Sequence, residues 1–167
     1  MQIFKKSSLL KSFVILKKQQ KKSVGFVPTM GSLHEGHLSL IRKSKLENDI
    51  TIVSIYVNPS QFDDKNDFVN YPVSNKKDIK LLKEINCDAL FVPKTRDMYK
   101  GGFNRIKLQL GNLDNILESK KRPGHFQGVM FIVHKFLKII NPDRAYFGEK
   151  DYQQLLIVKE LASVYFP

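Results

Sequence analysis

The sequence has 167 residues, of which 42% are hydrophobic and 26% are charged. This length fits one domain with a real core, and the composition excludes a disordered chain. The net charge of +12 comes mainly from lysines in scattered pairs, so no basic tail is predicted. A lysine-rich surface, attraction of an anionic substrate and nucleic-acid binding would each explain this charge.

The N-terminus and the cysteine content favour a cytoplasmic protein. Residues 1–22 lack the apolar core and the cleavage site of a signal peptide. The longest apolar run, residues 128–140, is too short and too polar to span a bilayer. Cys87 is the only cysteine, so no internal disulfide can form, and it is predicted to be a small buried hydrophobe. We therefore expect a soluble cytoplasmic protein with no membrane partner.

Taken in chain order, the predicted elements alternate between helices and strands. An amphipathic helix is predicted over residues 8–18 and a buried strand over residues 23–28. Further helices are predicted over residues 36–45, 75–86, 128–142 and 151–165, and further strands over residues 49–58, 88–93 and 144–148. Residues 105–110 alternate as strand residues do, and predict an excursion at the sheet edge.

This alternation is typical of βαβ units. It predicts the α/β class, with a Rossmann-like parallel sheet covered by helices on both faces. In such a sheet, ligands bind outside the carboxyl ends of the strands. The segments that follow the predicted strands are residues 28–37, 58–64, 93–102 and 148–151. The first of them contains both His34 and His37 and is the leading candidate for a site.

The stretch MGSLHEGH, residues 30–37, combines two histidines, two glycines and a predicted helix start. A zinc protease needs histidines four apart on a helix, whereas these are three apart without an obvious third ligand, so no metal site is predicted. The Gly-Lys-Ser/Thr of a P-loop and the Gly-x-Gly-x-x-Gly fingerprint are both missing. A helix N-terminus with imidazole donors, and with glycines that allow close approach, predicts a site for nucleotide phosphates.

The same residues carry a family resemblance. His-x-Gly-His at residues 34–37 resembles the signature of the nucleotidylyltransferase and class I aminoacyl-tRNA synthetase superfamily. The longer blocks PTMGSLHEGHLSLI, SIYVNPSQF, RPGHFQGV and PDRAYFGEKDYQQL resemble the pantothenate synthetase (pantoate–beta-alanine ligase) family. The blocks occur in the family's order, from about residue 24 to the end of the chain. The resemblance implies the HxGH nucleotidylyltransferase type of Rossmann-like fold.

The resemblance also implies an ATP-dependent ligase. The carboxylate of (R)-pantoate would attack the α-phosphate of ATP to give pantoyl-adenylate and pyrophosphate. The amine of beta-alanine would then displace AMP to give pantothenate, a precursor of coenzyme A. Mg²⁺ would accompany the ATP phosphates. The implied partners are these small molecules rather than nucleic acid or membrane, and the full-length enzyme would be a homodimer.

The family's functional residues carry over to matching positions of this sequence. His37 and His34 would be the catalytic residues, on the phosphates of ATP. The ATP site would comprise Met30, Gly31, Ser32, Leu33, His34, Glu35, Gly36 and His37, with Gly148, Glu149, Lys150 and Asp151 from a later loop. Pantoate would contact Asn58, Gln61 and Gln154, and beta-alanine would also contact Gln61. Tyr71, Arg122 and His125 are further candidates.

Some of these residues also have structural interpretations. Asp151 and Gln154 have the spacing of a capping box, which is compatible with a role in binding. Asn58 before a proline fits a plain turn, and Arg122 fits a basic surface run.

Two other functions remain as alternatives. One is another adenylyl- or cytidylyltransferase of the superfamily, against which VNPSQF and GEKDYQQ argue. The other is a non-catalytic nucleotide- or nucleic-acid-binding domain, although no aromatic-basic RNA motif is visible.

The resemblance covers the first domain of the family. Its members continue into a Ser-Ser-Arg loop, which supplies donors to the ATP phosphates, and into a smaller second domain. No Ser-Ser-Arg occurs in this sequence. We therefore expect residues 1–167 to form the nucleotide- and pantoate-binding domain, with the family's C-terminal domain absent from this chain. Alone, these residues are expected to bind ATP weakly and to turn over very slowly or not at all.

Overall fold

The structure, a computed structural model, describes residues 1–114 and 116–167, apart from the side chains of residues 65, 112 and 114. The strands are β1 (Gln2–Phe4), β2 (Val24–Thr29), β3 (Ile50–Ile55), β4 (Ala89–Phe91) and β5 (Arg144–Ala145). The helices are α1 (Ser7–Gln19), α2 (Glu35–Glu47), α3 (Lys65–Val69), α4 (Asn75–Glu84), α5 (Thr95–Met98), α6 (Glu118–Lys121), α7 (His125–Ile140) and α8 (Tyr152–Tyr165). Short 3-10 helices lie at Pro59–Gln61, Gly111–Asp114 and Glu149–Asp151.

The strands form one parallel sheet in the order β1-β4-β3-β2-β5. From β2 the chain first builds β3 and β4 on one side and later returns to place β5 on the other. Phe26 of β2 is paired with Ile52 of β3 on one side and Ala145 of β5 on the other. A reversal of this kind opens a crevice at the carboxyl end of the strand where it occurs. The topology therefore places a ligand site directly after β2.

Helices cover both faces of the sheet, as predicted. Phe26 and Ile52 point to the face that is covered by α1, α7 and α8. Val27 and Val53, one position further along each strand, belong to the core on the other face, beneath α2 and α4. Because successive strand residues point to opposite sides, a fully buried parallel strand is apolar at nearly every position. This explains the continuous apolar runs of β2 and β3.

Three aspartates link the amino ends of neighbouring strands. Each aspartate directly precedes one strand. It accepts a backbone N–H from the neighbouring strand, or from the residue just before that neighbouring strand. The pairs are Asp49 with Ser23 at 2.8 Å, Asp88 with Thr51 at 2.9 Å and Asp143 with Val24 at 2.7 Å. These carboxylates satisfy donors that the parallel ladder leaves unpaired. Polar side chains at the amino edge of the sheet therefore serve the fold.

Apart from a strand at residues 105–110, the predicted helices and strands are present, but several details differ, and the short helices α3, α5 and α6 were not predicted. The strand predicted at residues 105–110 is wrong, because this segment is irregular. Its alternating apolar side chains pack on the core, and Tyr165 donates to the carbonyl of Lys107 at 2.8 Å in place of a strand partner. β1 was not predicted, and β5 is shorter than residues 144–148. No helix in the described ranges is both long and apolar enough to cross a membrane.

Candidate active site

The loop between β2 and α2 carries the two histidines. His34 is the N-cap of α2, and its Nδ1 accepts the backbone N–H of Gly36 at 3.1 Å. Because Nδ1 is an acceptor, the proton of the neutral ring lies on Nε2. A Cβ on Gly36 would lie 2.9 Å from the His34 ring, so any larger residue there would have to displace the imidazole. His34 is thus both a helix cap and a potential donor to a ligand.

His37 stacks against His34 with ring centroids 4.1 Å apart. Its Nδ1 is buried and has no hydrogen-bond partner among the described residues, which leaves Nε2 to face a ligand. Burial lowers the pKa of His37 below its ordinary value, and the neighbouring His34 lowers it further. The negative charges of Asp78 and Asp151 raise this pKa and only partly oppose the decrease. His37 is therefore neutral at pH 7 and can donate or accept one proton.

The other predicted ATP residues of this loop have different surroundings. Leu33 is buried in the core beneath α2, and the hydroxyl of Ser32 donates to the carbonyl of Pro72 at 2.6 Å. Glu35 is exposed and forms a salt bridge with Arg42 on the outer surface of α2. The side chains of these three residues therefore do not line the cleft, whereas Met30 does.

Gln61 ends the short helix Pro59–Gln61 and faces Met30 across the cleft. Its Nε2 donates to the sulfur of Met30 at 2.9 Å, and its Oε1 accepts from Nδ2 of Asn58 at 3.2 Å. Asn58 is only 1% exposed, and its Nδ2 also donates to the carbonyl of Gly128 at 3.0 Å. Tyr99 donates its hydroxyl to Oδ1 of Asn58 at 2.6 Å. Asn58 thus supports Gln61 from behind and does not itself line the cleft.

Arg122 and His125 hold the backbone of Gln61. Nδ1 of His125 lies 2.8 Å from the Gln61 carbonyl, and Nη2 of Arg122 donates to the same oxygen at 3.1 Å. Burial lowers the pKa of His125, which favours the neutral ring with its proton on Nδ1. Arg122 also forms salt bridges with Asp63 at 3.5 Å and with Glu118 at 3.8 Å. Arg122 and His125 therefore hold the backbone that forms the pocket wall, and both side chains also line the pocket itself.

The segment before α8 supplies the opposite side of the cleft. Asp151 is the N-cap of α8, but its side chain makes no capping hydrogen bond, so the capping-box interpretation is wrong. Asp151 and Gln154 instead both line the cleft. The preceding Gln153 is buried and holds the loop before α6, accepting from the Glu118 N–H at 3.0 Å. Gly148, Glu149 and Lys150 are exposed and are not brought into the cleft.

The cleft consists of two adjoining pockets of about 280 and 300 Å³. Both are lined by Met30, Gln61, Tyr71, Asp151 and Gln154. The first pocket also contains His34 and His37 and has an apolar wall from α7, namely Val129, Ile132, Val133 and Phe136. The second contains Arg122 and His125. Residues far apart in sequence thus form one cleft with a histidine end, an amide-lined middle and an end lined by Arg122, His125 and Glu118.

The described residues of the cleft supply hydrogen-bond donors and acceptors but no metal-binding cluster. Within the described residues, no group of three or more His, Cys, Asp or Glu side chains could hold a metal ion.

Besides the apolar wall, three polar residues that support the cleft were not identified from the sequence. Asp78 of α4 accepts two N–H groups of the histidine loop, Tyr99 supports Asn58, and Gln153 fixes the loop before α6. No motif marks them, because each acts through a contact between residues at least 35 positions apart in sequence. The acidic first turn of α4 was visible in the sequence, but it is ordinary for a helix.

The chain is similar to known proteins over nearly its whole length. The profile of the family described as pantoate-beta-alanine ligase matches residues 2–166. A pantothenate synthetase of Francisella tularensis subsp. novicida is 51% identical over 150 residues, which are 89% of this chain and 56% of that protein. One from Carboxydothermus hydrogenoformans is 47% identical over 161 residues, 96% of this chain and 57% of that protein. The chain thus spans slightly more than half the length of these relatives.

Solved structures give the same result. The pantoate-beta-alanine ligase of Francisella tularensis, solved in complex with beta-gamma ATP and beta-alanine, superimposes with a TM-score of 0.92 at 44% identity. The match covers 99% of this chain and 63% of that one. The pantothenate synthetase of Thermus thermophilus gives a TM-score of 0.90 at 41% identity, and the match covers 98% of this chain and 58% of that one. The chain therefore belongs to the pantoate-beta-alanine ligase family.

Proposed function

We propose that this chain carries the site at which ATP activates pantoate for ligation to beta-alanine. The observation that carries the proposal is the meeting of His34, His37, Gln61 and Gln154 in one pocket at the carboxyl end of β2. The histidines come from the loop after β2, whereas the two glutamines come from distant segments. The family membership and the Francisella structure solved with beta-gamma ATP and beta-alanine support the same assignment.

The nucleotide phosphates would lie against His34 and His37. The Nε2–H of His34 and the Nε2 side of His37 can donate to phosphate oxygens without adding charge to the resting site. Mg²⁺ would enter bound to the phosphates of ATP, as is usual for nucleotide sites. Bound there, the ion would neutralise charge on the phosphates. The role of the two imidazoles would be to orient the α-phosphate and to follow the charge that develops on it.

Pantoate would lie between Gln61 and Gln154. An amide both donates and accepts, which suits the hydroxyl and carboxylate groups of a hydroxy acid. Val129, Ile132 and Val133 form an apolar wall in the same pocket, and this wall suits the branched carbon skeleton of pantoate. Asn58 would act indirectly, by fixing the side chain of Gln61. Gln61 also borders the second pocket, where the beta-alanine amine would approach.

The reaction would proceed by two displacements in this cleft. A carboxylate oxygen of pantoate forms a bond to the α-phosphorus, and the bond from that phosphorus to the pyrophosphate oxygen breaks. The amine of beta-alanine then attacks the acyl carbon, loses a proton, and expels AMP. Both steps depend on positioning the two reactants next to each other. The family's second domain would help to exclude water from the adenylate.

Binding measurements on the 167-residue chain test this assignment. In isothermal titrations, His37→Ala should weaken ATP binding by about tenfold while pantoate binding stays near the wild-type value. Gln154→Ala should have the opposite pattern, and Gln19→Ala, an exposed glutamine on α1, serves as the matched control. Tighter binding of CTP would favour a cytidylyltransferase. An affinity for generic DNA far above that for ATP would favour the nucleic-acid alternative. Either result would contradict the proposal.

A rate measurement tests the role of the imidazole in chemistry. In pantoate-dependent pyrophosphate release by the full-length enzyme, His37→Ala should lower the rate by roughly 10²-fold if the ring stabilises charge in the transition state. An unchanged rate would exclude that role.

Location and assembly are further parts of the proposal. We propose a cytoplasmic enzyme, because its ATP substrate is a cytoplasmic metabolite. A homodimer of the full-length enzyme is carried over from the family resemblance, and sedimentation equilibrium tests it. A monomer at every concentration would contradict the dimer without affecting the assignment of the site.

A further inference from the structure

Asp78 is a carboxylate with no exposed surface, and it faces the loop that carries the histidines. It lies in the first turn of α4. Oδ2 accepts the backbone N–H of Ser32 at 2.9 Å, and Oδ1 accepts that of Leu33 at 2.8 Å. A buried carboxylate is costly unless strong hydrogen bonds satisfy it, so these two contacts account for its burial. Both link α4 to a segment more than forty positions earlier in the chain.

The two contacts fix a segment with an unusual backbone. Gly31 has φ +89° and Ser32 has φ +51°, a backbone region that residues other than glycine rarely adopt. A Cβ on Gly31 would lie 3.2 Å from Oδ2 of Asp78. The Ser32 hydroxyl adds a bond to the Pro72 carbonyl at 2.6 Å. The turn that directs the chain from β2 into His34 is therefore held from outside by α4 and the loop before it.

The same contacts determine how the loop can bind an anion. Four of its N–H groups already have acceptors within the protein, those of Gly31, Ser32, Leu33 and Gly36. The loop thus differs from a P-loop, whose free N–H groups cradle phosphate. Recognition of a phosphate falls mainly to the imidazoles of His34 and His37, and their placement depends on the turn that Asp78 holds.

We propose that Asp78 is a positioning residue for the nucleotide site, holding residues 31–33 in the conformation that directs His34 and His37 into the cleft. The inference rests on the proposed function and adds a residue that does not itself touch the nucleotide. For a variant that lacks the Asp78 charge, the positioning role and simple electrostatics predict opposite changes in ATP affinity. Removing a negative charge from behind a phosphate site should strengthen ATP binding if charge alone matters. It should weaken binding if the carboxylate holds the loop.

Asp78→Asn tests this with little change in size. One oxygen can still accept an N–H, whereas the amide nitrogen faces the other donor, so one contact is lost. We expect ATP affinity to fall by about tenfold or more in isothermal titration. Asp49→Asn is the matched control, because Asp49 also accepts a backbone N–H, at 2.8 Å, but at the opposite end of the sheet. That variant should bind ATP as the wild type does, even if it is less stable.

Histidine ring NMR shows whether the Asp78 charge acts on His37, separately from the loop geometry that the ATP titration tests. The groups that face His37 are His34, Asp78 and Asp151, and both carboxylates raise its pKa. The titration midpoint of His37 should therefore fall in Asp78→Asn and stay unchanged in Asp49→Asn. If Asp78→Asn does not fold, amide exchange in the wild type replaces it. Protection of the Ser32 and Leu33 amides without ATP supports the inference, and protection that appears only with ATP overturns it.

The outcomes separate the inference from the function on which it rests. A folded Asp78→Asn variant that binds ATP as tightly as the wild type, or more tightly, would overturn the positioning role and leave the proposed function intact. A wild-type chain that does not bind ATP would overturn both.

Discussion

The imidazole of His125 and the backbone carbonyl of Gln61 form a 2.8 Å hydrogen bond that joins α7 to the wall of the cleft. Arg122 donates to the same carbonyl at 3.1 Å, and its Nη1 lies 3.5 Å from Nε2 of His125. Nε2 therefore accepts and Nδ1 donates, which fixes the tautomer of the ring. Together with Asn58, these residues determine where the Gln61 side chain lies before any ligand binds.

Loss of the His125 ring should therefore impair binding of pantoate more than binding of ATP. His125→Ala removes one hydrogen bond to Gln61, worth about 1 kcal/mol, so pantoate affinity should fall by roughly fivefold. Isothermal titration of pantoate and ATP measures both effects. His134→Ala is the control, because that ring lies further along α7 against Tyr165, with centroids 5.2 Å apart. Equal loss of pantoate affinity in both variants would contradict a specific role for His125.

Close packing of α7 against the short helix before Gln61 gives a second prediction. A Cβ on Gly128 would lie 2.2 Å from the carbonyl oxygen of Ser60 and 2.7 Å from the backbone nitrogen of Gln61. Backbone atoms cannot rotate away, so Gly128→Ala must push the two elements apart. We expect a loss of about 1–3 kcal/mol in the free energy of unfolding, together with weaker pantoate binding.

Gly148→Ala is the matched control for this overpacking. Nothing lies within 4 Å of a Cβ at Gly148, and its φ of −75° suits any residue. Urea unfolding curves of the two variants should differ clearly. If Gly128→Ala were as stable as Gly148→Ala and bound pantoate normally, the contact between the two elements would have to be looser than the structure indicates.

The buried histidines predict how stability depends on pH. Burial lowers the pKa of His37, His125 and His134 below the ordinary value of about 6.5. The unfolded chain then binds more protons than the folded chain as the pH falls. Stability should be steady between about pH 7.5 and pH 8 and decrease progressively below about pH 6.5. Urea unfolding at about pH 5.5 and pH 7.5 measures this difference.

His125→Gln should reduce the pH dependence, because it removes one of the three groups. The lowered pKa values of Glu47 and Asp49 act only at more acidic pH and leave this window unaffected. A chain more stable at about pH 5.5 than at about pH 7.5 would mean that these histidines gain protons on folding, contrary to their burial.

The fold could be predicted largely because its signals are local. The apolar runs at β2 and β3 and the helical spacing in α1 and α4 reflect a sheet that is buried on both faces. Residues 105–110 misled the prediction, because alternating side chains can pack on a core without a strand partner. β1 was not predicted, because a strand of three residues is too short to show an alternation of apolar and polar side chains.

The candidate site was predictable where residues form contiguous motifs. The position of His34 and His37 after β2 followed from the strand and helix pattern, and the blocks around Gln61 and Gln154 carried the family resemblance. Supporting contacts were not predictable. Asp78 reaches Ser32 across 46 positions and His125 reaches Gln61 across 64 positions, and only the folded chain brings them together. The capping box failed for a related reason, because spacing alone does not fix where the Asp151 side chain points.

The most direct test of the account is a crystal structure of this chain with a non-hydrolysable ATP analogue and pantoate bound together. We predict that a pantoate carboxylate oxygen will lie about 3–3.5 Å from the α-phosphorus, within reach for displacement. His34 and His37 should contact the phosphates, and Gln61 and Gln154 should contact pantoate. The account would be contradicted if the two ligands occupied separate sites, or if pantoate bound in the cleft with its carboxylate turned away from the nucleotide.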